Sequence, residues 1–251
     1  WHLTTPGVDE EGKPIDIGYY ANSCSVAGDG RTVLLADYFG RQVHTFLMDP
    51  DAGTIEYRQS FDTYNKEGTD FVGLSLVNIV LSPDGRTAVA VGPPLEPGST
   101  IEDYKSSSSP WVYRVNAPGR VVFKGKVELP KLARGAQSGA FSRDGSKFYM
   151  GVTEYRNPAE LLDEEGKITK IVPNYVIYVF RVTPEGNLID TGARVQLATA
   201  RGTSQLFGVD TMEVDPENRY LFVSNPTVSG GARLVSVVDL QTLKEVKELS
   251  T

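Results

Sequence analysis

At 251 residues the chain is sized for one large domain or two small ones. Its 40% apolar and 23% charged residues are ordinary globular values, which exclude a disordered tail, a collagen-like repeat or a coiled coil as the whole chain. A net charge of −7 argues against nucleic acid or anionic lipid as partner, and the longest nearly apolar run, 71–81, is too short to span a bilayer.

The single cysteine, Cys24, and the two histidines, His2 and His44, exclude an internal disulfide, Cys-x-x-Cys zinc patterns and histidine-rich metal centres. The chain opens on Trp1 and no segment reads as a signal peptide. A processed or trimmed product starting this way is compatible with export, so an extracytoplasmic location (periplasmic, secreted or cell surface) is expected over a cytoplasmic one. No glycosylation sequon adds to this, since Asn225-Pro226-Thr227 has proline in the forbidden position.

Along the chain, residues 1–19 read as an N-terminal extension, and a single pattern then recurs four times. It runs through Ser25-Val26-Ala27-Gly28-Asp29-Gly30-Arg31-Thr32-Val33, Val80-Leu81-Ser82-Pro83-Asp84-Gly85-Arg86-Thr87-Ala88, Ala140-Phe141-Ser142-Arg143-Asp144-Gly145-Ser146-Lys147-Phe148 and Glu213-Val214-Asp215-Pro216-Glu217-Asn218-Arg219-Tyr220-Leu221. Each copy is a strand, a tight turn and a strand. The Asp-Gly or Glu-Asn pair supplies the positive φ of a hairpin turn, and proline at 83 and 216 fixes φ before the turn centre.

A third strand rich in β-branched and aromatic residues follows every hairpin, at 43–47, 111–115, 176–182 and 234–239. Turns such as Asp49-Pro50-Asp51-Ala52-Gly53 and Pro184-Glu185-Gly186 lead to a fourth, at 54–57, 121–123, 187–189 and 243–246. Four strands repeated four times predict an all-β β-propeller with blades at about 20–62, 70–130, 134–198 and 204–251. Counted at the turn acid, the copies lie at 29, 84, 144 and 217, spacings longer than the ~40–45 residues of a WD-type blade, so insertions are expected.

With Leu34-Leu35-Ala36-Asp37-Tyr38 and the 49–53 turn in the first copy, and Val237-Val238-Asp239-Leu240-Gln241-Thr242-Leu243-Lys244-Glu245-Val246 in the last, residues 20–251 resemble the lactonase-like and YVTN-type propeller superfamily. That superfamily includes phosphogluconolactonases, surface-layer proteins and the large subunits of quinone-dependent amine dehydrogenases. The resemblance implies a ring, usually of seven blades, so these four are read either as a closed ring or, preferably, as part of a larger one, because an open arc leaves strands exposed. Blade-building positions carry the resemblance, so it transfers fold better than function.

In a propeller the entry to the innermost strand and the connection between second and third strands open on one face around the channel. Aligned on the turn acid, the innermost strands begin Asn22-Ser23, Asn78, Gln137-Ser138 and Asp210-Thr211, a set of small polar groups that suits a ligand such as water, a sugar or a cation, or else local backbone bonds. No cofactor is predicted; calcium is the one ion considered, with Asn22, Asn78 and Asp210 as candidate ligands and Asp37 or Glu154 as helpers. The longest second-to-third connections, 93–110, 154–175 and 226–233, decorate that face, with a short helix expected after Pro158.

Arg134, Arg156 and Arg201 are the basic groups near this face, and Asp210, Glu154 and Arg201 are the candidates for a hydrolytic site. His44, inside an apolar strand, reads as a packed histidine. Cys24, in phase with Ile79 and Met212, reads as a small buried hydrophobe. The expected function is a non-catalytic recognition or scaffold module that binds a protein partner or small ligand at the loop-rich channel face. The alternatives are a sugar-lactone hydrolase and a propeller subunit of a redox complex.

Overall fold

The computed structural model describes residues 21–37, 42–62, 78–91, 110–127, 129, 133–134, 138–155, 164, 173–197, 211–225 and 234–250. They form four antiparallel sheets, each a blade in which consecutive strands are neighbours. Blade 1 is β1 (Ala21–Val26), β2 (Thr32–Asp37), β3 (Gln42–Asp49) and β4 (Thr54–Asp62). Blade 2 is β5 (Asn78–Leu81), β6 (Thr87–Val91), β7 (Trp111–Ala117) and β8 (Arg120–Lys126). Blade 3 is β10 (Gly139–Phe141), β11 (Lys147–Tyr155), β12 (Pro173–Val182) and β13 (Leu188–Gln196), joined by the two-residue β9 (Ala133–Arg134), which extends the sheet by pairing with β11. Blade 4 is β14 (Thr211–Val214), β15 (Tyr220–Asn225), β16 (Leu234–Asp239) and β17 (Lys244–Ser250).

The four hairpins close as their sequences require. Gly30, Gly85 and Gly145 take φ of 67°, 67° and 72°, and Asn218 takes the same place in the fourth copy at 57°. Turn carboxylates tie the chain ahead of them: Asp29 accepts from the Arg31 amide at 2.8 Å, Asp84 from Arg86 at 3.0 Å and Asp144 from Ser146 at 3.0 Å. In blade 4 this work falls two residues earlier. Asp215 accepts from the amides of Arg219 and Tyr220 at 2.6 and 2.8 Å, the latter matching the bond that the Ser82 hydroxyl receives from the Thr87 amide.

In every blade the pairing of third and fourth strands carries a bulge, at Thr45/Phe46, Val112/Tyr113, Tyr178/Phe180 and Val237/Val238. A bulge raises local twist, and it falls at the same place in all four copies. The inner strands stack in series, β1 on β5, β5 on β10 and β10 on β14. Three apolar layers result. Leu34, Ala36 and Val43 meet Ile79, Leu81 and Tyr113; Val89 and Val91 meet Phe141, Phe148 and Met150; Tyr149, Ile177 and Val179 meet Met212, Val214 and Leu221.

Cys24 departs from expectation. Its phase matches Ile79 and Met212, which are buried, yet Cys24 is exposed. Ile79 is covered by blade 1 and Met212 by blade 3; Cys24 occupies the same position on the face of blade 1 that turns away from blade 2. The helix expected after Pro158 lies outside the described residues.

Gly85 marks where a turn and a blade joint coincide. A Cβ there would stand 2.9 Å from the Ala27 Cβ and 3.1 Å from the Gly28 nitrogen. Gly53 has a similar φ of 66° with nothing within 4 Å. Gly85→Val is therefore expected to lose more than Gly53→Val, which carries only backbone strain of about 1–3 kcal/mol. Equal melting temperatures for the two variants would contradict this packing of the turn on blade 1.

Candidate functional site

The polar groups at the entries of the innermost strands have different surroundings. The Ser23 hydroxyl accepts a hydrogen bond from the Ile79 amide at 2.9 Å, and the Ser25 hydroxyl one from the Leu81 amide at 3.2 Å. Both bonds cross from blade 1 to blade 2. Asn78 is half-buried at the head of β5 and Thr211 is exposed at the head of β14. Ser138, just before β10, is fully buried, and its hydroxyl has no hydrogen-bond partner. Ser23, Asn78, Ser138 and Thr211 thus sit at matching heights on adjacent inner strands, with two chemical conditions among them: a hydroxyl already used in a joint and a buried one left unpaired.

The Asn22 side chain, Gln137, Asp210 and Arg201 lie outside the described residues, as do Arg156 and the Arg134 side chain. The pairing of Glu154 with Asp210 and Arg201 expected for hydrolysis thus has one described member. Glu154 accepts a hydrogen bond from the Tyr178 hydroxyl at 2.6 Å across β11 and β12. The Arg194 guanidinium lies over the Tyr178 ring, 3.4 Å from its centroid, and grips Asp190 through two bonds of 2.8 and 2.6 Å. Burial first, and then the Glu154 carboxylate, push the Tyr178 phenol well above its ordinary range, so it stays a donor at neutral pH. Glu154 is positioned by a neighbour of its own blade. Among the described residues no three His, Cys, Asp or Glu side chains converge as a metal ion would need.

A polar cluster that sequence reasoning missed runs through blade 1. His44 Nδ1 lies 2.6 Å from Ser60 Oγ, His44 Nε2 lies 3.5 Å from Asp37 Oδ2, and Ser60 Oγ lies 2.8 Å from the Tyr57 hydroxyl. Asp37 and His44 are fully buried. The order carboxylate, imidazole, hydroxyl is that of a charge relay. Here it joins β2, β3 and β4 inside one sheet, and the serine hydroxyl is shared with a tyrosine, an arrangement suited to clamping strands. His44 is the packed histidine the sequence suggested. Register alone signals the cluster, since His44 faces Leu35 on one side and Ser60 on the other.

At the outer rim between blades 1 and 2 lies a groove of about 800 Å³ lined by Glu56, Arg58, Gln59, Asn116, Arg120 and Val122 among others. Gln59 Nε2 donates to the Val121 carbonyl at 2.7 Å, and the Gly119 amide donates to Thr32 Oγ1 at 3.0 Å, so the groove follows a bonded joint. Arg58 is paired with Glu56 at 2.9 Å.

No family model matches this chain, and neither does any curated protein. Solved structures do. The chain is similar to a functionally unknown protein from Desulfotomaculum acetoxidans (18% identity, TM-score 0.60, covering 95% of this chain and 61% of that one). It is also similar to Kuenenia stuttgartiensis hydrazine synthase (13%, 0.58, 94% and 52%) and to a Bacteroides fragilis protein described as a candidate 6-phosphogluconolactonase (16%, 0.57, 98% and 58%). This chain spans between half and two thirds of the length of each. At these identities the likeness establishes the β-propeller fold, in accord with the resemblance read from the repeats.

Asp190 gives a pH test of the blade 3 network. The hydrogen bond from Arg194 holds its carboxyl below the usual carboxylate range. A lowered folded-state pKa contributes stability that is present above the unfolded value, ordinarily near 3.8, and that fades as pH falls through the lowered one. Asp190→Asn is expected to lower the melting temperature at neutral pH and to flatten the loss of stability on acidification below about pH 4. An unchanged acid limb in the variant would show that this pair is not linked to folding.

Proposed function

We propose that this chain is a non-catalytic propeller module that recognises a protein partner or small ligand through the face at which its second-to-third strand connections attach. The carrying observation is that three of the described polar groups near that face are engaged in the frame, with Ser138 left unpaired. Ser23 receives the Ile79 amide, Glu154 receives the Tyr178 hydroxyl, and Asp37 faces His44. Such groups make a rigid seat. The longest stretches between strands within a blade run from Val91 to Trp111, from Tyr155 to Pro173 and from Asn225 to Leu234, all rooted at the same end of their blades. Connecting segments rooted on a bonded scaffold are the usual arrangement for recognition.

Lactone hydrolysis is the competing reading, favoured by the likeness to the Bacteroides fragilis protein. It needs a base free to activate water and a group to hold the substrate. Following acid release from 6-phosphogluconolactone in weak buffer with a pH indicator separates the two. The recognition reading expects the uncatalysed rate at every protein concentration. A rate proportional to protein and lost in Glu154→Gln would overturn it in favour of the hydrolase.

A further inference from the structure

The outermost strands of the four blades differ in charge. By sequence β4 holds Arg58 with Glu56, β13 holds Arg194 with Asp190, and β17 holds Lys244 and Lys247 with Glu245 and Glu248. Arg58 pairs with Glu56 at 2.9 Å and Arg194 with Asp190 at 2.6 Å. In β8 this balance is missing: the strand carries Arg120, Lys124 and Lys126 and no acid, in a chain of net charge −7. Among the described residues none of these three has an acidic partner. The Lys126 ammonium lies instead over the Trp111 ring, 5.0 Å from its centroid, and Trp111 meets Phe123 with ring centroids 4.8 Å apart. Val122 and Phe123, set among the bases, are large apolar residues left 45% and 40% exposed.

This strand is also an edge, because β8 ends the order of its sheet with β7 on one side only. The Val115 amide donates to the Arg86 carbonyl at 2.9 Å, on the β6 side of β7, and the Val127 amide donates to the Pro110 carbonyl at 2.8 Å across the pair of β7 and β8. Backbone groups alternate in direction along a strand. Arg114 therefore turns towards β8, its partner Val122 turns back towards β7, and Val121 and Phe123 turn outward. Gln59 of blade 1 agrees with this direction, since its side-chain amide takes the Val121 carbonyl at 2.7 Å. Lys126 turns outward as well, next to the inward-turned Val127. Among the described residues no strand pairs with the outward groups of Phe123 and Lys126.

We propose that this edge is a docking site for an extended acidic segment of a partner protein, which adds to blade 2 as a fifth strand. Its backbone pairs with the outward amides and carbonyls of Phe123 and Lys126, its carboxylates meet Arg120, Lys124 and Lys126, and its apolar side chains cover Val122 and Phe123. Lysines on an edge deter pairing with a second copy of the same edge. A strand of opposite charge is admitted by that same feature, and the exposed Val122 and Phe123 give it apolar surface to bury. The groove of about 800 Å³ whose wall includes Arg120, Val121 and Val122 leaves room beside the strand. This surface lies on the outer rim and does not depend on the reading given to the channel face.

Binding of a labelled peptide of alternating glutamate and valine to the full chain, followed by fluorescence anisotropy, tests this. Saturable binding is expected, weakened by about tenfold or more in the double variant Lys124→Glu, Lys126→Glu. The double variant Lys244→Glu, Lys247→Glu makes the same change of net charge on the outer strand of blade 4 and is expected to bind as the parent does. All four lysines are exposed, so circular dichroism should show both variants folded. N-methylation of the peptide amides removes the strand's donors and keeps its charge, and is expected to abolish binding.

Absence of binding by the unmodified peptide, binding indifferent to Lys124→Glu, Lys126→Glu, or an equal loss in the two lysine variants would overturn the proposal. Equal binding of the N-methylated peptide would also overturn it, and would assign the strand to polyanions held by charge without backbone pairing.

Discussion

A four-stranded sheet with two apolar faces cannot be stable in water alone, and every other feature of this molecule follows from how those faces are covered. The burial of Leu34, Val89 and Tyr149, each on the face turned to the following blade, and of Leu81, Phe141 and Val214, each on the face turned to the preceding one, is one contact made three times. Burial of this kind is non-directional and would permit many sheet-on-sheet angles. Direction comes from polar groups at the joint: Ser23 and Ser25 capture two amides that the inner edge of β5 cannot otherwise pair, and Gln59 captures a carbonyl of blade 2 at the outer rim. Apolar area supplies the driving force, and these bonds at both ends of a joint fix the wedge geometry that makes a propeller out of stacked sheets.

What the sequence discloses is the part of the fold written in local chemistry. Asp-Gly pairs specify positive φ, and the three Asp-Gly hairpins lie where those pairs lie. Even the Glu217-Asn218 variant forms its turn, because Asn tolerates the left-handed region and Asp215 takes over the bond that a serine makes elsewhere. Phase reasoning failed at Cys24 for a physical reason: position within a blade decides which face a side chain takes, but what packs on that face decides which of its positions are covered, and on the face of blade 1 that holds Cys24 the cover reaches His44 and Phe46 and leaves Cys24 exposed. Composition carries no information on that second condition.

The site was less legible because function-like chemistry and structural chemistry use the same residues. Carboxylate, imidazole and hydroxyl meet in Asp37, His44 and Ser60, yet they meet across three paired strands, where the His44–Ser60 hydrogen bond and the 3.5 Å approach of Asp37 to His44 fasten a sheet. Nothing in the spacing of 37, 44 and 60 announces this, since their proximity arises from strand register. Glu154 shows the converse. It stands at the expected end of its blade, and its nearest partner is Tyr178 on the adjacent strand, a contact that becomes visible only once Glu154 and Asn174 are known to pair.

Structures that share this fold at 13–18% identity include hydrazine synthase and a protein described as a candidate lactonase. Proteins so differently described can share a frame only if the frame's requirements are few, and here they reduce to turn geometry, alternating apolar faces and a few amide-capturing hydroxyls. Those requirements occupy the strands and hairpins almost completely. Ser138 is the exception inside the frame: a buried hydroxyl at the head of β10 with no partner is costly unless something polar meets it.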